Sequence, residues 1–335
     1  MFSKRIGIDL GTANTLVYLG GQGVVLNEPT VVAVRADDNK VVAVGLEAKE
    51  MLGRTPGNIV ASRPLKDGVI ADYQVTESML EYFIQKVTGK SRLIKPEVMV
   101  CIPSGVTQVE KRAVLEAAHS AGARAVYLIE EPLAAAIGAK IPIAQASGHM
   151  ILDSGGGTTD VAVISLGGIV DHASVRLGGD ALQEAVANYI RKNYGILIGE
   201  RSSEDIKIKL GNAIPSKNSD KKMEVRGRDT VSGLPRQEEI TEEAVFEAIE
   251  PVLKKMVAAI REVFEKTPPE LSSDIIEKGI VLTGGTVLLR NFDKYITRET
   301  GVPAYVAEDP LFCVVRGTGV AIENLELYKK SINKN

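Results

Sequence analysis

Short apolar runs alternate with longer amphipathic stretches along the chain, and this pattern predicts an α/β protein. Apolar runs of a few residues bounded by turn-forming residues are typical of buried strands, and apolar positions spaced three and four apart are typical of helices. Strands are predicted at residues 6–8, 16–19, 24–26, 31–34, 41–44, 98–102, 126–129, 150–164 (a hairpin), 169–170, 279–282 and 304–306. Helices are predicted at residues 75–87, 106–121, 133–139, 180–194, 206–210, 241–266 and 310–327.

Three local patterns refine these elements. The runs between residues 24 and 44 are expected to continue a β-meander from the first strand pair. Ser202-Ser203-Glu204-Asp205 has the pattern of a capping box that opens the helix at 206–210. The polar, charge-rich residues 215–239 predict an inserted group of two or three strands, with turns at Gly227 and at Gly233-Leu234-Pro235.

Two glycine-rich turns follow predicted strands and resemble each other. Residues 150–160 read MILDSGGGTTD, a buried strand that ends in an aspartate, three glycines and two threonines. Glycines let backbone N–H groups approach an anion, hydroxyls add donors, and the aspartate can hold hydrated Mg²⁺. Such a turn can also be purely steric, but residues 6–15, IGIDLGTANT, repeat the arrangement. Two such hairpins predict related half-molecules that offer one loop each to a shared polyphosphate.

Further strand ends are expected to face the same cleft. Pro132 is suited to the first turn of a helix, and it places Glu131 where the strand at 126–129 ends. Ligands bind at the carboxyl ends of strands in βαβ architectures, so Glu131 should face Asp9 and Asp153. Gly178-Gly179-Asp180, at a helix start, is expected to offer free N–H groups and a carboxylate to a ribose or phosphate.

Length and composition narrow the class of protein. A chain of 335 residues suggests about two domains. A net charge of −3 and a pI of 5.8 argue against a nucleic-acid surface. Cys101 and Cys313 lack C-x-x-C spacing and are expected to be reduced core residues, and the scattered histidines predict no metal site. No signal peptide and no apolar run of ~18 residues is recognised, so a cytoplasmic protein is expected.

The glycine-rich elements, taken in order, resemble the actin, Hsp70 and sugar-kinase superfamily. They are Asp9-Leu10-Gly11-Thr12, Glu131-Pro132, residues 153–159, Gly178-Gly179-Asp180 and Thr283-Gly284-Gly285. Runs such as IGIDLGTANTLVY, RTPGNIVA, RPLKDGVIAD, IEEPLAAAIGA, LIGER and GIVLTGG are similar to the bacterial actins of the MreB and Mbl group, and the likeness covers nearly the whole chain.

This resemblance implies a two-lobed actin-like ATPase fold, built from duplicated ribonuclease H-like domains with a nucleotide cleft between them. Lobe I would span residues 1–145, with an insert at about 33–65. Lobe II would span residues 146–335, with an insert at about 182–240. The C-terminal helix at about 310–327 would cross back to lobe I.

The resemblance also implies a site for ATP and Mg²⁺. The residues that it assigns to the nucleotide are Gly11, Thr12, Ala13, Asn14, Gly155, Gly156, Gly157, Thr158, Gly178, Gly179, Asp180, Glu204, Asp205, Ile206, Lys207, Gly284, Gly285, Thr286 and Val287. Asp9 and Asp153 would hold Mg²⁺ mainly through its waters. Glu131, Thr158 and Asp160 would position the attacking water. From spacing alone, Glu204 and Lys207 could equally be an exposed i,i+3 pair.

Three residues depart from the family pattern. Asp160 stands where MreB proteins usually carry Glu and where Mbl-type proteins and Hsp70s carry Asp, so the paralogue stays open. Ser154 replaces a more usual apolar residue. Thr286 replaces a third glycine, and a β-branched residue there would be strained if the position needs a positive φ, which would weaken nucleotide binding.

The function that the resemblance implies is a slow ATPase coupled to the assembly of membrane-associated filaments, which direct cell-wall synthesis and rod shape. The implied partners are further copies of the chain in paired protofilaments, the inner face of the cell membrane, and the wall-elongation proteins RodZ, MreC and MreD, with no nucleic acid. Leu93 and Ile94, between two cations, would form the membrane loop; alternatively they fold back on their own helix.

Two other functions occur in the same superfamily. A small-molecule kinase or phosphotransferase needs a substrate pocket with its own aspartate base, and no candidate stands out beyond the nucleotide set. An Hsp70-like chaperone needs a peptide-binding domain after the second lobe, which a chain ending at Asn335 is not expected to hold.

Overall fold

The computed structural model describes residues 4–89, 95–215, 219–328 and 333–334. Its strands are β1 (Arg5–Leu10), β2 (Asn14–Leu19), β3 (Gly23–Pro29), β4 (Val32–Arg35), β5 (Val41–Val44), β6 (Ile59–Ser62), β7 (Leu65–Lys66), β8 (Val69–Ile70), β9 (Glu97–Ile102), β10 (Ala125–Glu130), β11 (His149–Ser154), β12 (Thr159–Ser165), β13 (Gly168–Val175), β14 (Ile196–Leu197), β15 (Lys222–Asp229), β16 (Pro235–Thr241), β17 (Ile280–Thr283), β18 (Ala304–Val306) and β19 (Asn333–Lys334). Its helices are α1 (Leu46–Met51), α2 (Tyr73–Thr88), α3 (Gln108–Ser120), α4 (Glu131–Gly138), α5 (Gly179–Tyr194), α6 (Glu200–Leu210), α7 (Glu242–Lys266), α8 (Pro269–Lys278), α9 (Phe292–Thr300) and α10 (Cys313–Glu323).

Two sheets with the same topology form the framework. The first has the strand order β19-β10-β9-β1-β2-β3, and the second has the order β13-β12-β11-β17-β18. In each sheet a three-stranded antiparallel meander continues through parallel pairing into two later strands, β9 and β10 or β17 and β18. This repeat is the duplicated α/β arrangement that the sequence predicted.

Helices cover both faces of each sheet, which explains why the central strands are apolar without alternation. Along β9, Val98 and Val100 face a core shared with α2 and α3, whereas Met99 and Cys101 face the core between the two sheets. Successive side chains of a strand point to opposite faces, so one strand supplies two separate cores.

Helices α4 and α10 fill the space between the two sheets and touch closely. A Cβ on Gly317 of α10 would lie 1.7 Å from Ala134 O of α4, and a Cβ on Gly138 would lie 1.8 Å from Cys313 O. Only glycine permits this approach. Helix α10 follows lobe II in sequence but packs on the lobe I sheet, where Arg5 Nη1 donates to Glu323 O at 2.9 Å.

The first insert is a sheet of its own. Strand β4 pairs with β5 on one side and with β6 on the other, and Ala33, Ala43 and Ala48 of α1 form a small core. The predicted meander is therefore wrong beyond β3. The chain turns away after Pro29, where the Thr30 hydroxyl donates to Gly11 O at 2.6 Å and ties the exit of β3 to the first glycine-rich turn.

The second insert corrects two other predictions. Helix α6 begins at Glu200, so Ser203 lies inside it and donates to Glu200 O at 2.9 Å instead of forming a capping box. Gly227 lies within β15 and not in a turn. A glycine is needed there because β14 approaches closely, and a Cβ would lie 2.4 Å from Leu197 O. The turn predicted at Gly233 is present, with φ of 72°.

The remaining differences concern short strands and helices. The strands β6, β7, β8, β14 and β19 and the helices α1, α8 and α9 were not predicted, and α10 ends at Glu323 instead of the predicted residue 327. The division of the chain at residues 145 and 146 falls between α4 and β11 and stays a prediction. Within the described part of the chain, no helix is both long and apolar enough to cross a membrane.

Candidate functional site

A cavity of about 450 Å³ lies between the two lobes, within the size range of small-molecule sites. It brings together most of the residues that the resemblance selected. Those that line it are Asp9, Gly11, Thr12, Ala13, Asn14, Glu131, Asp153, Gly155, Gly156, Gly157, Thr158, Gly179, Asp180, Glu204, Lys207, Gly284, Gly285 and Thr286. The carboxyl ends of β1, β11 and β17 all open onto this cavity, as expected for an α/β fold.

The two glycine-rich turns face each other across the cavity. A Cβ on Gly156 would lie 2.7 Å from the Ala13 side chain, and a Cβ on Gly157 would lie 2.3 Å from Thr12 Oγ1. Thr12 Oγ1 in turn accepts from the Gly68 N–H at 3.0 Å. The close contact leaves no room for side chains, so the glycines are required for the two lobes to meet here.

The start of α5 differs from the sequence-based expectation. The Gly179 and Asp180 N–H groups are not free, because they donate to Gly155 O and Gly156 O at 2.9 Å each. Gly178 lies against the same carbonyls, where a Cβ would be 2.5 Å from either oxygen, and it does not line the cavity. The N–H groups of the helix start therefore support the second glycine-rich turn from behind, while Gly179 and Asp180 also line the cavity.

Two aspartates stand at corresponding strand ends, one in each lobe. Burial raises the pKa of Asp9 to about 6, and a hydrogen bond from the Cys101 thiol at 3.3 Å partly offsets this by lowering the pKa. Burial raises the pKa of Asp153 to about 7, against a hydrogen bond of 2.7 Å from the Thr283 hydroxyl to Oδ1. Both carboxyl groups are thus poorly solvated, and a nearby cation would stabilise their charged forms.

The proposed water-positioning residues lie close to these aspartates. Burial raises the pKa of Glu131 well above its usual range, and the negative charges of Asp160, Asp153 and Asp9 raise it further. Burial also raises the pKa of Asp160 to about 7, against a hydrogen bond from the Ser104 N–H to Oδ1 at 2.9 Å. Asp160 is completely buried and does not line the cavity, so it sits one layer behind Thr158.

Several assigned residues do not line the cavity. The side chains of Ile206 and Val287 are buried in the lobe II core, and Asp205 is half-buried outside the cavity wall. Leu93 and Ile94 lie outside the described residues.

The two other departures from the family pattern are accommodated. Thr286 has no positive φ; Gly284 takes the left-handed conformation with φ of 89°, and the Thr286 hydroxyl donates to Gly155 O at 2.7 Å. The strain considered for Thr286 is therefore absent. The Ser154 hydroxyl is buried and is hydrogen-bonded to Thr159 Oγ1 at 2.7 Å. At both positions, the hydroxyl group forms a hydrogen bond to a residue of the second glycine-rich turn.

Charged residues that sequence reasoning missed also line the cavity. Lys49 forms an ion pair with Glu204, and Arg63 forms one with Glu200. Arg290 lines the cavity as well. Lys49 lies on helix α1, which was not predicted, and Arg63 lies in the RPLKDG run that carried part of the resemblance. The ion-pair partners of both residues are more than a hundred residues away in sequence, so local pattern could not identify them.

The cleft between two duplicated lobes, with facing glycine-rich turns and strand-end aspartates, defines the class of protein: this is an actin-like ATPase fold. The crystal structure of MreB5 of Spiroplasma citri bound to ADP has a TM-score of 0.91 at 38% identity and covers 98% of both chains. A MamK double helical filament, with a TM-score of 0.81 at 21% identity over 96% of this chain and 99% of that chain, shares the fold.

The family model described as MreB/Mbl protein matches residues 3–330. Cell shape-determining protein MreB of Escherichia coli strain K12 is 55% identical over 333 residues, 98% of this chain and 96% of the relative. Cell shape-determining protein Mbl of Bacillus subtilis strain 168 is 51% identical over 330 residues, 98% of this chain and 99% of the relative. The chain belongs to the MreB/Mbl family of bacterial actins.

Proposed function

We propose that this chain binds ATP with Mg²⁺ in the cavity, hydrolyses it slowly, and couples hydrolysis to the assembly of filaments that determine cell shape. The observation that carries the proposal is the pair of facing glycine-rich turns beside two buried aspartates whose pKa values are raised. The solved relatives support it, since MreB5 of Spiroplasma citri has been crystallised with ADP and with AMPPNP.

The residues of the site fit Mg²⁺ bound through water. Among the described residues, no group of three or more His, Cys, Asp or Glu could hold a metal ion directly. Mg²⁺ keeps several of its waters and commonly uses one or two carboxylates together with substrate phosphates. Asp9 and Asp153 would accept hydrogen bonds from such waters. When bound, Mg²⁺ supplies charge neutralisation for the phosphates and for these two carboxylates.

Glu131 is the residue that we assign to the attacking water, with Thr158 and Asp160 as its support. It begins α4 with Pro132 in the first turn, so its position is fixed by the rigid junction of β10 and α4. Phosphoryl transfer depends mainly on positioning and on charge stabilisation, and a carboxylate that orients water is sufficient. Positive charge in the cavity would lower the pKa of Glu131 and let it accept a proton from that water.

The cavity gives no support to a phosphotransferase with a second substrate. Among the described residues, the carboxyl groups that line it are Asp9, Glu131, Asp153, Asp180 and Glu204, all of which belong to the nucleotide set. A kinase would require a further carboxylate to accept the proton of the acceptor hydroxyl.

Replacing Glu131 by Gln tests the hydrolytic assignment, because Gln keeps the shape of the side chain and removes its charge. We expect Glu131→Gln to bind ATP normally and to release phosphate at least about a hundredfold more slowly, the range typical of general-base loss. Glu130→Gln is the matched control, since Glu130 is the preceding residue and its side chain caps no helix N–H. A phosphate release rate for Glu131→Gln equal to that of the unchanged chain would refute the role.

Self-association and membrane contact are part of the same proposal. A head-to-tail contact between identical chains does not close, so it generates filaments; sedimentation with ATP and Mg²⁺, compared with nucleotide-free protein, measures assembly. Membrane contact at the inner face of the cell membrane would place the filaments beside RodZ, MreC and MreD.

The membrane loop can be tested by vesicle co-sedimentation with anionic lipid. We expect a Leu93→Ser, Ile94→Ser double variant to lose most binding, because two apolar side chains flanked by cations favour shallow insertion. A Val231→Ser, Leu234→Ser variant is the matched control, as both residues are exposed in the β15–β16 turn. Undiminished binding by the first variant would remove this loop from the proposal.

A further inference from the structure

Two ion pairs cross the mouth of the cavity and join the first insert to helix α6. Lys49 Nζ on α1 lies 3.1 Å from Glu204 Oε2, and Arg63 Nη2 after β6 lies 2.7 Å from Glu200 Oε1. The two acidic partners stand four residues apart on the same helix, so they lie on one face of it. Both cations come from lobe I and both anions come from lobe II.

Each partner of the Lys49–Glu204 pair is anchored in the core of its own lobe. Ala48, next to Lys49, is fully buried in the small core of the first insert. Ile206 and Leu210, on the other face of α6, are buried in the lobe II core. An attraction between the two side chains therefore acts between the first insert and lobe II.

The position of the pair makes its attraction stronger than that of a surface pair. The side chains of Lys49 and Glu204 are 35% and 28% exposed, and both line the cavity. Half-buried charges are screened less by solvent and salt than exposed ones. The Gln183 side-chain amide donates to Glu200 O at 3.2 Å and steadies the start of α6, so the helix presents both carboxylates in a fixed direction.

We infer that Lys49 is a positioning residue for nucleotide retention, which, through Glu204 on α6, holds the mouth of the cavity closed. The inference rests on the proposed nucleotide function. If nucleotide leaves as the first insert and α6 separate, its dissociation rate measures the strength of the pair. The rate at which nucleotide enters an open cleft depends on the pair much less.

The Lys49–Glu204 pair is the better one to test. Arg63 also donates to Ala13 O at 3.4 Å, and Ala13 belongs to the first glycine-rich turn. Glu200 is the first residue of α6, where an acidic side chain stabilises the helix itself. Changes at Arg63 or Glu200 would therefore alter the phosphate turn or the helix as well as the mouth.

The experiment measures the release of a fluorescent ATP analogue, chased with excess ATP in Mg²⁺ at protein concentrations below filament assembly. We expect Lys49→Met to release it roughly three- to fivefold faster, the effect of losing one partly exposed ion pair. Glu204 is also assigned to the nucleotide, so Glu204→Gln alone should be at least as fast as Lys49→Met. Adding Lys49→Met to Glu204→Gln should cause no further acceleration, because the contact is already broken. Lys49→Arg should keep slow release.

Lys40→Met is the matched control, because Lys40 lies on the same insert in the exposed β4–β5 turn, and it should release the analogue at the original rate. Raising the salt concentration should accelerate release from the unchanged chain more than from Lys49→Met, which keeps only the Arg63–Glu200 pair. A release rate for Lys49→Met equal to that of the unchanged chain, or a double variant whose acceleration is the product of the two single ones, would overturn the inference. Failure of the unchanged chain to bind the analogue would instead refute the proposed function.

Discussion

Replacing Asp160 by Asn should stabilise the nucleotide-free protein, and by an amount that grows with pH. Asp160 is fully buried, and its Oδ1 accepts from the Ser104 N–H at 2.9 Å, a bond that the Asn oxygen can keep. Burial raises the pKa of Asp160 from 3.8 to about 7. Asn has the same shape and no charge, so the variant avoids the cost of ionising a buried carboxyl group.

The direction follows from proton binding. Between pH 4 and pH 7 the folded chain holds the Asp160 proton and the unfolded chain has lost it, so stability falls as the pH rises through this window. From pH 5 to pH 7 the free energy of unfolding falls by about 1.36 kcal/mol per pH unit, or roughly 2.7 kcal/mol in all. Above about pH 7 the loss is complete and becomes constant. Removing the Asp160 charge also lowers the pKa of Glu131, which adds to the gain.

The assay is thermal unfolding followed by circular dichroism, without nucleotide and with a chelator, at pH 5 and pH 8.5. For a chain of this size, 1 kcal/mol corresponds to about 1 to 3 °C, so the advantage of Asp160→Asn should widen by about 4 °C between the two pH values. Asp37→Asn, at an exposed aspartate, is the control and should differ from the unchanged chain equally at both. An Asp160→Asn advantage that does not change with pH would refute the argument.

Three further predictions test the packing and the metal site. Gly317→Ala should lower the unfolding midpoint by several degrees, because its Cβ would lie 1.7 Å from Ala134 O, and an unchanged midpoint would contradict the contact between α4 and α10. Thr283→Val removes the hydrogen bond to Asp153 and should raise the Mg²⁺ concentration for half-maximal ATP hydrolysis roughly threefold, the effect of one hydrogen bond, while Thr283→Ser should not. Pro251→Ala, inside α7, should raise the free energy of unfolding in urea by about 1 kcal/mol, since proline interrupts the helical hydrogen bonds; a loss of stability would show that the helix depends on its ring.

The chain is similar both to a protein named MreB and to one named Mbl, and the structure shows what the residue at position 160 does physically. A glutamate there would be one methylene longer than Asp160 and could not keep the Ser104 N–H at the same distance without moving the carboxyl group towards Thr158. That bond joins the loop after β9 in lobe I to β12 in lobe II, so the choice of side chain sets how the two lobes meet behind the site.

Local pattern was sufficient for elements whose signals lie within one stretch of chain. The hairpin of β11 and β12 and the amphipathic helix α7 follow from the apolar periodicity of their own residues. Because the turn chemistry repeats, the sequence could place the aspartates at the ends of β1 and β11 beside one cleft, and both line the cavity. The order of elements was enough to predict the duplicated lobes and the cleft.

Tertiary structure alone decided which partners these residues meet. The Gly179 and Asp180 N–H groups lie at a helix start, yet they donate to carbonyls of the second glycine-rich turn. The local sequence around the helix start does not indicate that this turn lies next to it. The ion pair between Lys49 and Glu204 joins residues 155 positions apart. Periodicity records only which face of an element is apolar, whereas hydrogen bonds and charges depend on the side chains that folding brings to the opposite wall.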